Sequence, residues 1–152
     1  MKKILCYFII LGLAAAIPQK RLDVGKLLPV ELIYIDEKDA EIIIRTDTGD
    51  TGEGATLDKA FNNLEETAKG VIYLDTAIYL LVSEDGLPHM KELWKYVKKE
   101  IKVCRCNSEV DLKEAATYLS VHDPKITLKM TLSGKTKLPE LKVEKSGMKL
   151  VK

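Results

Sequence analysis

The chain has 152 residues, of which 46% are hydrophobic and 31% are charged, and its formal net charge is +1. A chain of this length forms one domain of ordinary size, which can bury a core without metal ions or disulfide bonds. The near-zero charge gives no basis for nucleic-acid binding, which a strongly basic surface normally indicates. Three cysteines are too few for a disulfide-rich scaffold.

The first 16 residues have the pattern of a bacterial-type secretory signal. Two lysines precede an uncharged apolar run over residues 4–13, and residues 14–16 are alanines of the A-x-A kind that signal peptidase cleaves. The apolar stretch is shorter than the roughly 20 residues that a spanning helix needs. Cys6 lies near the start of this stretch, where we interpret it as an apolar filler and not as a lipidation site. We predict that residues 1–16 are a cleaved signal or a retained anchor, and that the following domain works outside the cytoplasm.

A β-hairpin is predicted at the start of that domain. Residues 30–35 and 41–46 are apolar runs rich in β-branched residues, and a polar turn at residues 37–39 separates them. Residues 46–54 contain three glycines and several carboxylates. This composition predicts a polar loop that ends the hairpin.

Three amphipathic helices are predicted after the hairpin. The first begins at the N-cap Thr56 and ends at Gly70, and the third begins with a capping-box pattern at Asp111 and ends before Pro124. The second begins at Pro88 and exposes its lysines. These lysines would suit contact with an anionic membrane or cell wall, but we favour a solvated face because two glutamates dilute them. The predicted buried side of this second helix consists of Met90, Leu93, Trp94, Val97 and Ile101.

Further strands are predicted between and after these helices. Residues 71–74 and 77–82 predict two strands or one bent strand, and residues 102–107 predict another. Alternation over residues 126–132 predicts a strand with one solvent-exposed face, and two short strands around residues 146–147 close the chain. The order ββαββαβαβ with a C-terminal β tail is typical of an α/β (α+β) fold, a single domain with a mixed β-sheet and about three helices.

These elements give a domain organisation with four parts. We predict a signal or anchor over residues 1–16, a linker over residues 17–29, the α/β domain over residues 30–132 and a short β tail over residues 133–152. This arrangement leaves one folded unit to carry the function.

Cys104 and Cys106 are the strongest candidates for a metal or thiol site. Residues two apart in a strand point to the same side, so both sulfurs can face one soft metal ion or form a redox pair. However, a disulfide at this spacing is strained, and a zinc site needs four ligands where the sequence offers two. We favour two small apolar residues packed beneath a helix, with metal binding or thiol activity as the alternative.

No catalytic residue, cofactor site or nucleotide site is apparent. His89 and His122 have no partner at ligand spacing, which favours surface histidines. The glycines of residues 49–54 precede a helix, as in phosphate-binding loops, but the carboxylates between them would repel phosphate. Their spacing also differs from that of an EF-hand calcium loop. We therefore predict a protein that is not an enzyme and has no cofactor.

A glycine-rich helix start and the strand pair after it resemble those of a known family. Residues 52–64 follow the pattern G-x-G-x-T-x-x-x-A-x-x-N-L, and residues 71–74 and 79–84 match the two apolar strands that come next. The middle of the chain thereby resembles the N-terminal domain of the C subunit of spore germinant receptors, a lipoprotein family of spore-forming Firmicutes. The family carries a lipidated Cys at the end of its signal, where this chain has alanines, and Gly-His where this chain has Asp75 and Thr76.

The resemblance implies a distant, shortened relative of that family, which is an extracytoplasmic protein-interaction component without known catalysis. With the signal pattern, it predicts an interaction domain at the membrane surface or cell envelope, in sporulation or germination. The expected partner is a membrane or envelope protein, and neither nucleic acid nor a nucleotide. Membrane contact is expected only through the N-terminal segment, if that segment is retained.

Overall fold

A mixed β-sheet forms the centre of the protein in the computed structural model, which describes residues 24–134, 136–144 and 146–151. The predicted signal, residues 1–16, lies outside the described residues. The strands of the described part are β1 (Leu27–Pro29), β2 (Leu32–Lys38), β3 (Glu41–Thr46), β4 (Thr51–Gly54), β5 (Val71–Tyr73), β6 (Tyr79–Val82), β7 (Lys102–Arg105), β8 (Glu140–Glu144) and β9 (Gly147–Val151).

Seven of these strands form the main sheet, in the order β4-β3-β2-β6-β7-β8-β9. Strands β2, β6, β7 and β8 are parallel to one another, and the pairs β2-β3, β3-β4 and β8-β9 are antiparallel. Strand β1, within the predicted linker, pairs in parallel with β5 in a separate two-stranded sheet. Residues 71–74 and 77–82 therefore contribute two strands, which belong to different sheets.

The predicted hairpin is confirmed. Strands β2 and β3 pair as far as Lys38 and Glu41, so that Asp39 and Ala40 alone form the turn. Both turn residues have positive φ, +54° and +63°. This is the backbone that a two-residue turn needs to match the twist of its strands.

The predicted polar loop over residues 46–54 is wrong in its second half, because Thr51–Gly54 is strand β4. Glycines are depleted in strands, so the sequence indicated a loop here. In the fold, Gly52 and Gly54 are the places where helix α1 (Leu57–Thr67) lies directly against the strand. A side chain at either glycine would collide with that helix.

The first and third predicted helices are confirmed, as α1 and α2 (Leu112–Val121). Thr56 caps α1 by accepting a hydrogen bond from the backbone N–H of Lys59, and Asp111 caps α2 by accepting one from Glu114. Each cap satisfies an N–H group that has no partner within the helix.

The predicted second helix is wrong as an α-helix. Two short 3₁₀-helices, Leu87–Lys91 and Leu93–Lys95, take its place. The inward-facing residues recur every three positions, which matches the three residues per turn of a 3₁₀-helix. These residues are Leu87, Met90, Leu93 and Tyr96. Val97 and Ile101, which follow the segment, are buried as predicted. Trp94, expected in the core, is 48% exposed.

The predicted strand over residues 126–132 is also wrong, because Leu128–Leu132 is a five-residue helix, α3. Contact of this segment with the sheet is limited to a single bridge between Lys102 of β7 and Thr127. The Thr127 side chain instead caps α3 by accepting a hydrogen bond from the N–H of Met130. Only Leu128 of the alternating apolar residues is fully buried.

The predicted fold class is confirmed: one α+β domain, with helices on both sides of a mixed sheet. Helix α1, the 3₁₀ segment and α3 cover one side, which we name the α1 face. Helix α2 covers the other side, which we name the α2 face. The predicted tail strands are confirmed as β8 and β9 and extend the sheet. Among the described residues, no helix has the length and apolar character that crossing a bilayer requires.

Candidate interaction groove

Helix α2 leaves part of its face of the sheet open. It packs through Ala115, Ala116 and Leu119 on a cluster that includes Leu81 of β6 and Leu141 of β8. Towards β3 and β4 the same face forms a groove of about 440 Å³. Its lining residues are Tyr34, Asp36, Lys38, Ile43, Arg45, Thr51, Glu53, Asn107, Ser108 and Glu109.

The strand register arranges the floor of this groove in two rows. Arg45 lies between Tyr34 of β2 and Thr51 of β4, and the neighbouring row places Ile43 between Asp36 and Glu53. Alternate residues of a strand point to opposite sides, so these side chains share the side that faces away from α1. The floor therefore combines an aliphatic centre with charges of both signs.

Arg45 and Tyr34 form the inner end of the groove. The guanidinium carbon of Arg45 is 4.7 Å from the centroid of the Tyr34 ring, a cation–π contact. Tyr34 is only 4% exposed. Burial, with the nearby charge of Asp36, raises the pKa of Tyr34 to about 12. The phenol therefore stays neutral.

One donor at this end has no partner. The Nε atom of Arg45 is buried and, within the described part of the chain, has no hydrogen-bond acceptor. Buried polar groups in native proteins nearly always have a partner, and an unsatisfied one costs about 1–3 kcal/mol. The Nε atom of Arg105 is in the same state, although the other nitrogens of that guanidinium pair with Glu84 and Glu140.

The loop before α2 forms one wall of the groove. Asn107 accepts a hydrogen bond from the N–H of Glu84 at 2.9 Å, and its amide donates to the Glu84 carboxylate at 3.3 Å. The Sγ atom of Cys106 lies 3.5 Å from the carbonyl oxygen of Ser108, to which the thiol donates. These bonds hold the wall to the end of β6, so the groove is preformed.

A second concavity of about 350 Å³ adjoins the first and shares Arg45 and Thr51 with it. The turn between β3 and β4 lines it, and the carboxylates of that turn accept hydrogen bonds from other groups of the protein. Asp47 accepts hydrogen bonds from the N–H groups of Glu31 and Leu32, and Asp50 accepts one from the Thr48 hydroxyl. Arg45 thus stands between two open surfaces.

Cys104 and Cys106 lie beneath helix α2 on the same face, and neither lines the groove. They are 1% and 0% exposed, and both are free thiols. Burial raises the pKa of Cys104 to about 12 and also raises the pKa of Cys106. Because thiolates are the reactive and metal-binding form, this position disfavours thiol chemistry. Among the described residues, no group of three or more potential ligands could hold a metal ion.

The two histidines have different neighbours and do not form a site together. The Nε2 atom of His89 lies 2.8 Å from a carboxylate oxygen of Glu37, near the C-terminal end of β2. The His122 ring packs on Tyr118 of α2, with centroids 4.3 Å apart. Neither lines the groove.

Sequence reasoning missed the groove. The available signal was the change along β2 from the apolar residues 32–35 to the charged residues 36–38, which the structure shows as a change from buried to partly exposed.

Comparison of the chain with protein-family models, with curated proteins and with solved structures finds no match.

Proposed function

We propose that this chain is an exported, non-enzymatic interaction domain that binds a membrane or envelope protein outside the cytoplasm, through the groove on the α2 face. The observation that carries the proposal is the open groove, whose floor places Arg45 and Ile43 among charged residues of both signs. The secretory pattern of residues 1–16 supports export, and the resemblance over residues 52–102 supports a role in sporulation or germination.

The groove defines the chemistry of the partner. A carbonyl or carboxylate oxygen would satisfy Arg45, and charge-assisted hydrogen bonds of this kind are the stronger ones. An apolar side chain beside it would cover Ile43. The mixed charges of Asp36, Lys38 and Glu53 around this centre would select register and orientation. A polypeptide segment provides all three features.

A photo-crosslinking residue at Ile43 tests this proposal in the full chain, expressed in sporulating cells of a spore-forming bacterium. We expect a crosslinked envelope or membrane protein that disappears when Arg45→Gln is added, because that change removes the fixed donor. Arg45→Lys should weaken the product less, since the positive charge stays.

The control places the crosslinker at Thr117, an exposed position on α2 that lies outside the groove. Circular dichroism spectra should show that every variant is folded. A product that persists in Arg45→Gln, or that forms equally from Thr117, would show that the groove is not the binding site.

A further inference from the structure

Trp94, the only tryptophan of the chain, stands outside the core with 48% of its surface exposed. Leu132 of α3 is 38% exposed, and the two lie together in a shallow depression of about 530 Å³. The other residues that line this depression are Lys91, Lys99, Lys129 and Ser133. We name Lys91, Trp94, Lys99, Lys129 and Leu132 the Trp94 patch.

The backbone holds the Trp94 patch in one arrangement. In the 3₁₀ turn Leu93–Lys95, Leu93 is buried in the core and Trp94 points outward. Helix α3 is tied to the same segment, because the N–H of Leu128 donates to the carbonyl of Ile101 at 2.9 Å and the N–H of Lys129 donates to that of Lys99 at 3.0 Å. The exposed apolar side chains therefore share a fixed surface.

The charge around this apolar surface is positive. The Lys99 ammonium lies 5.1 Å from the centroid of the Trp94 ring. Within the described part of the chain, no carboxylate lies at ion-pair distance from Lys91, Lys99 or Lys129, whereas Lys102 pairs with Asp123 at 2.8 Å. No acidic residue lines the depression. The patch thus combines an exposed ring with uncompensated lysines.

We propose that the Trp94 patch docks onto an anionic lipid bilayer. Tryptophan favours the headgroup region of membranes, where its ring is partly apolar and its N–H finds a partner. Lysines beside it reach lipid phosphates while their stems stay on apolar surface. This contact adds to the one expected from the N-terminal segment.

The position of the patch fits this role. Lys98 donates a hydrogen bond to the carbonyl of Asp75 at 2.6 Å, and Thr76 next to it exchanges hydrogen bonds with the backbone of Val30 at 3.0 and 3.1 Å. These contacts join the segment of Trp94 to the strand β1 region, where the chain enters the described structure. The segment that carries Trp94 is thus tied to the first described strand, which follows the predicted anchor in the sequence. The inference rests on the export part of the proposed function.

Trp94 fluorescence tests the proposal directly, because no other tryptophan contributes. The full chain is reconstituted in vesicles of phosphatidylglycerol or of phosphatidylcholine, each with and without lipids brominated on their acyl chains. In phosphatidylglycerol vesicles we expect emission at shorter wavelength and quenching by the brominated lipid. In phosphatidylcholine vesicles, and in 1 M salt, where the Debye length is about 3 Å, we expect the spectrum of an exposed ring.

The triple variant Lys91→Gln, Lys99→Gln, Lys129→Gln should lose this docking. One lysine contributes about fivefold to binding at an anionic surface, so the ratio of docked to undocked protein should fall about a hundredfold. The control is the triple variant Lys113→Gln, Lys137→Gln, Lys149→Gln, which changes the charge equally at exposed positions outside the patch and should dock as the wild type does.

Three outcomes would overturn the proposal: no quenching in phosphatidylglycerol, equal quenching in both lipids, or quenching that the patch variant retains. An equal spectral shift with a soluble polyanion would also overturn it, since the bilayer would then not be required. The vesicles contain no protein partner. A failed crosslink at Ile43 therefore leaves the lipid result standing, and a failed lipid result leaves the groove proposal standing.

Discussion

Gly52 of strand β4 lies directly against Ala60 and Leu64 of helix α1. A Cβ atom at Gly52 would clash with the carbonyl oxygen of Ala60 and lie 2.6 Å from the Cβ of Leu64. We expect Gly52→Ala to lower the free energy of unfolding by about 2–3 kcal/mol, because helix and strand must move apart in a well-packed core. Denaturant unfolding followed by circular dichroism measures this loss.

The matched control is Gly134→Asn. Gly134 has φ +71°, a conformation that asparagine tolerates better than most residues, and no atom lies within 4 Å of the position of its missing Cβ. We expect its free energy of unfolding to stay within about 0.5 kcal/mol of the wild type. Equal stability of Gly52→Ala and the wild type would show that close packing is not why β4 carries glycine.

Cys104 and Cys106 should be unreactive in the folded protein, because both thiols are buried and their pKa values are raised. In a Cys6→Ser background, which leaves only these two thiols, we expect a thiol reagent to label the native chain slowly and the denatured chain rapidly. Metal content should not change when both residues become alanine. Fast native labelling near pH 8, or bound metal that the double variant loses, would restore the thiol or metal hypothesis.

The sequence predicted best the elements that local interactions define. The caps at Thr56 and Asp111 act within three residues, so both helices were found. The 3₁₀ segment was missed because residues three apart belong to both helical patterns, and only the outward position of Trp94 distinguishes them here. Strand β4 was missed because the reason for its glycines is a helix that packs against it from further along the chain.

The groove depends on relationships that no local pattern contains. Arg45 meets Tyr34 through the register of β2 and β3, and the wall of the groove comes from residues 107–109, more than 50 positions later in the sequence. The lack of an acceptor for Arg45 becomes visible only when all of its neighbours are placed. The burial of Cys104 and Cys106 was easier to predict from the sequence, since small apolar residues of a strand under a helix belong to the core.

The outer edge of β4 should depend on two side chains of α1. Asn63 accepts a hydrogen bond from the N–H of Glu53, and the Thr67 hydroxyl donates one to the carbonyl of Thr51, both at 3.0 Å. Free strand edges promote pairing between chains. We expect Asn63→Ala with Thr67→Ala to lower the free energy of unfolding by about 1–3 kcal/mol and to increase self-association, measured by denaturant unfolding and light scattering.

The control for the edge is Asn62→Ala, an exposed substitution on the same helix. It should change neither stability beyond about 0.5 kcal/mol nor the state of association. A double variant with the association state and the stability of this control would show that the edge needs no protection from α1.

The ion pair between Lys102 and Asp123 should make stability depend on acid pH. The hydrogen bond from Lys102, 2.8 Å long, lowers the pKa of Asp123, and partial burial opposes it. A carboxylate whose pKa is lower in the folded than in the unfolded chain stabilises the fold above its unfolded pKa, about 3.9. That stabilisation is lost as the pH falls through the folded pKa. We therefore expect Asp123→Asn to be less stable than the wild type near neutral pH, by at most about 1 kcal/mol because the pair is partly exposed, and we expect the difference to shrink at acid pH. Denaturant unfolding across this range measures the difference, and Asp85→Asn, at an exposed position, should follow the wild-type profile. A constant difference between Asp123→Asn and the wild type at both pH values would show that Asp123 acts through packing and not through its charge.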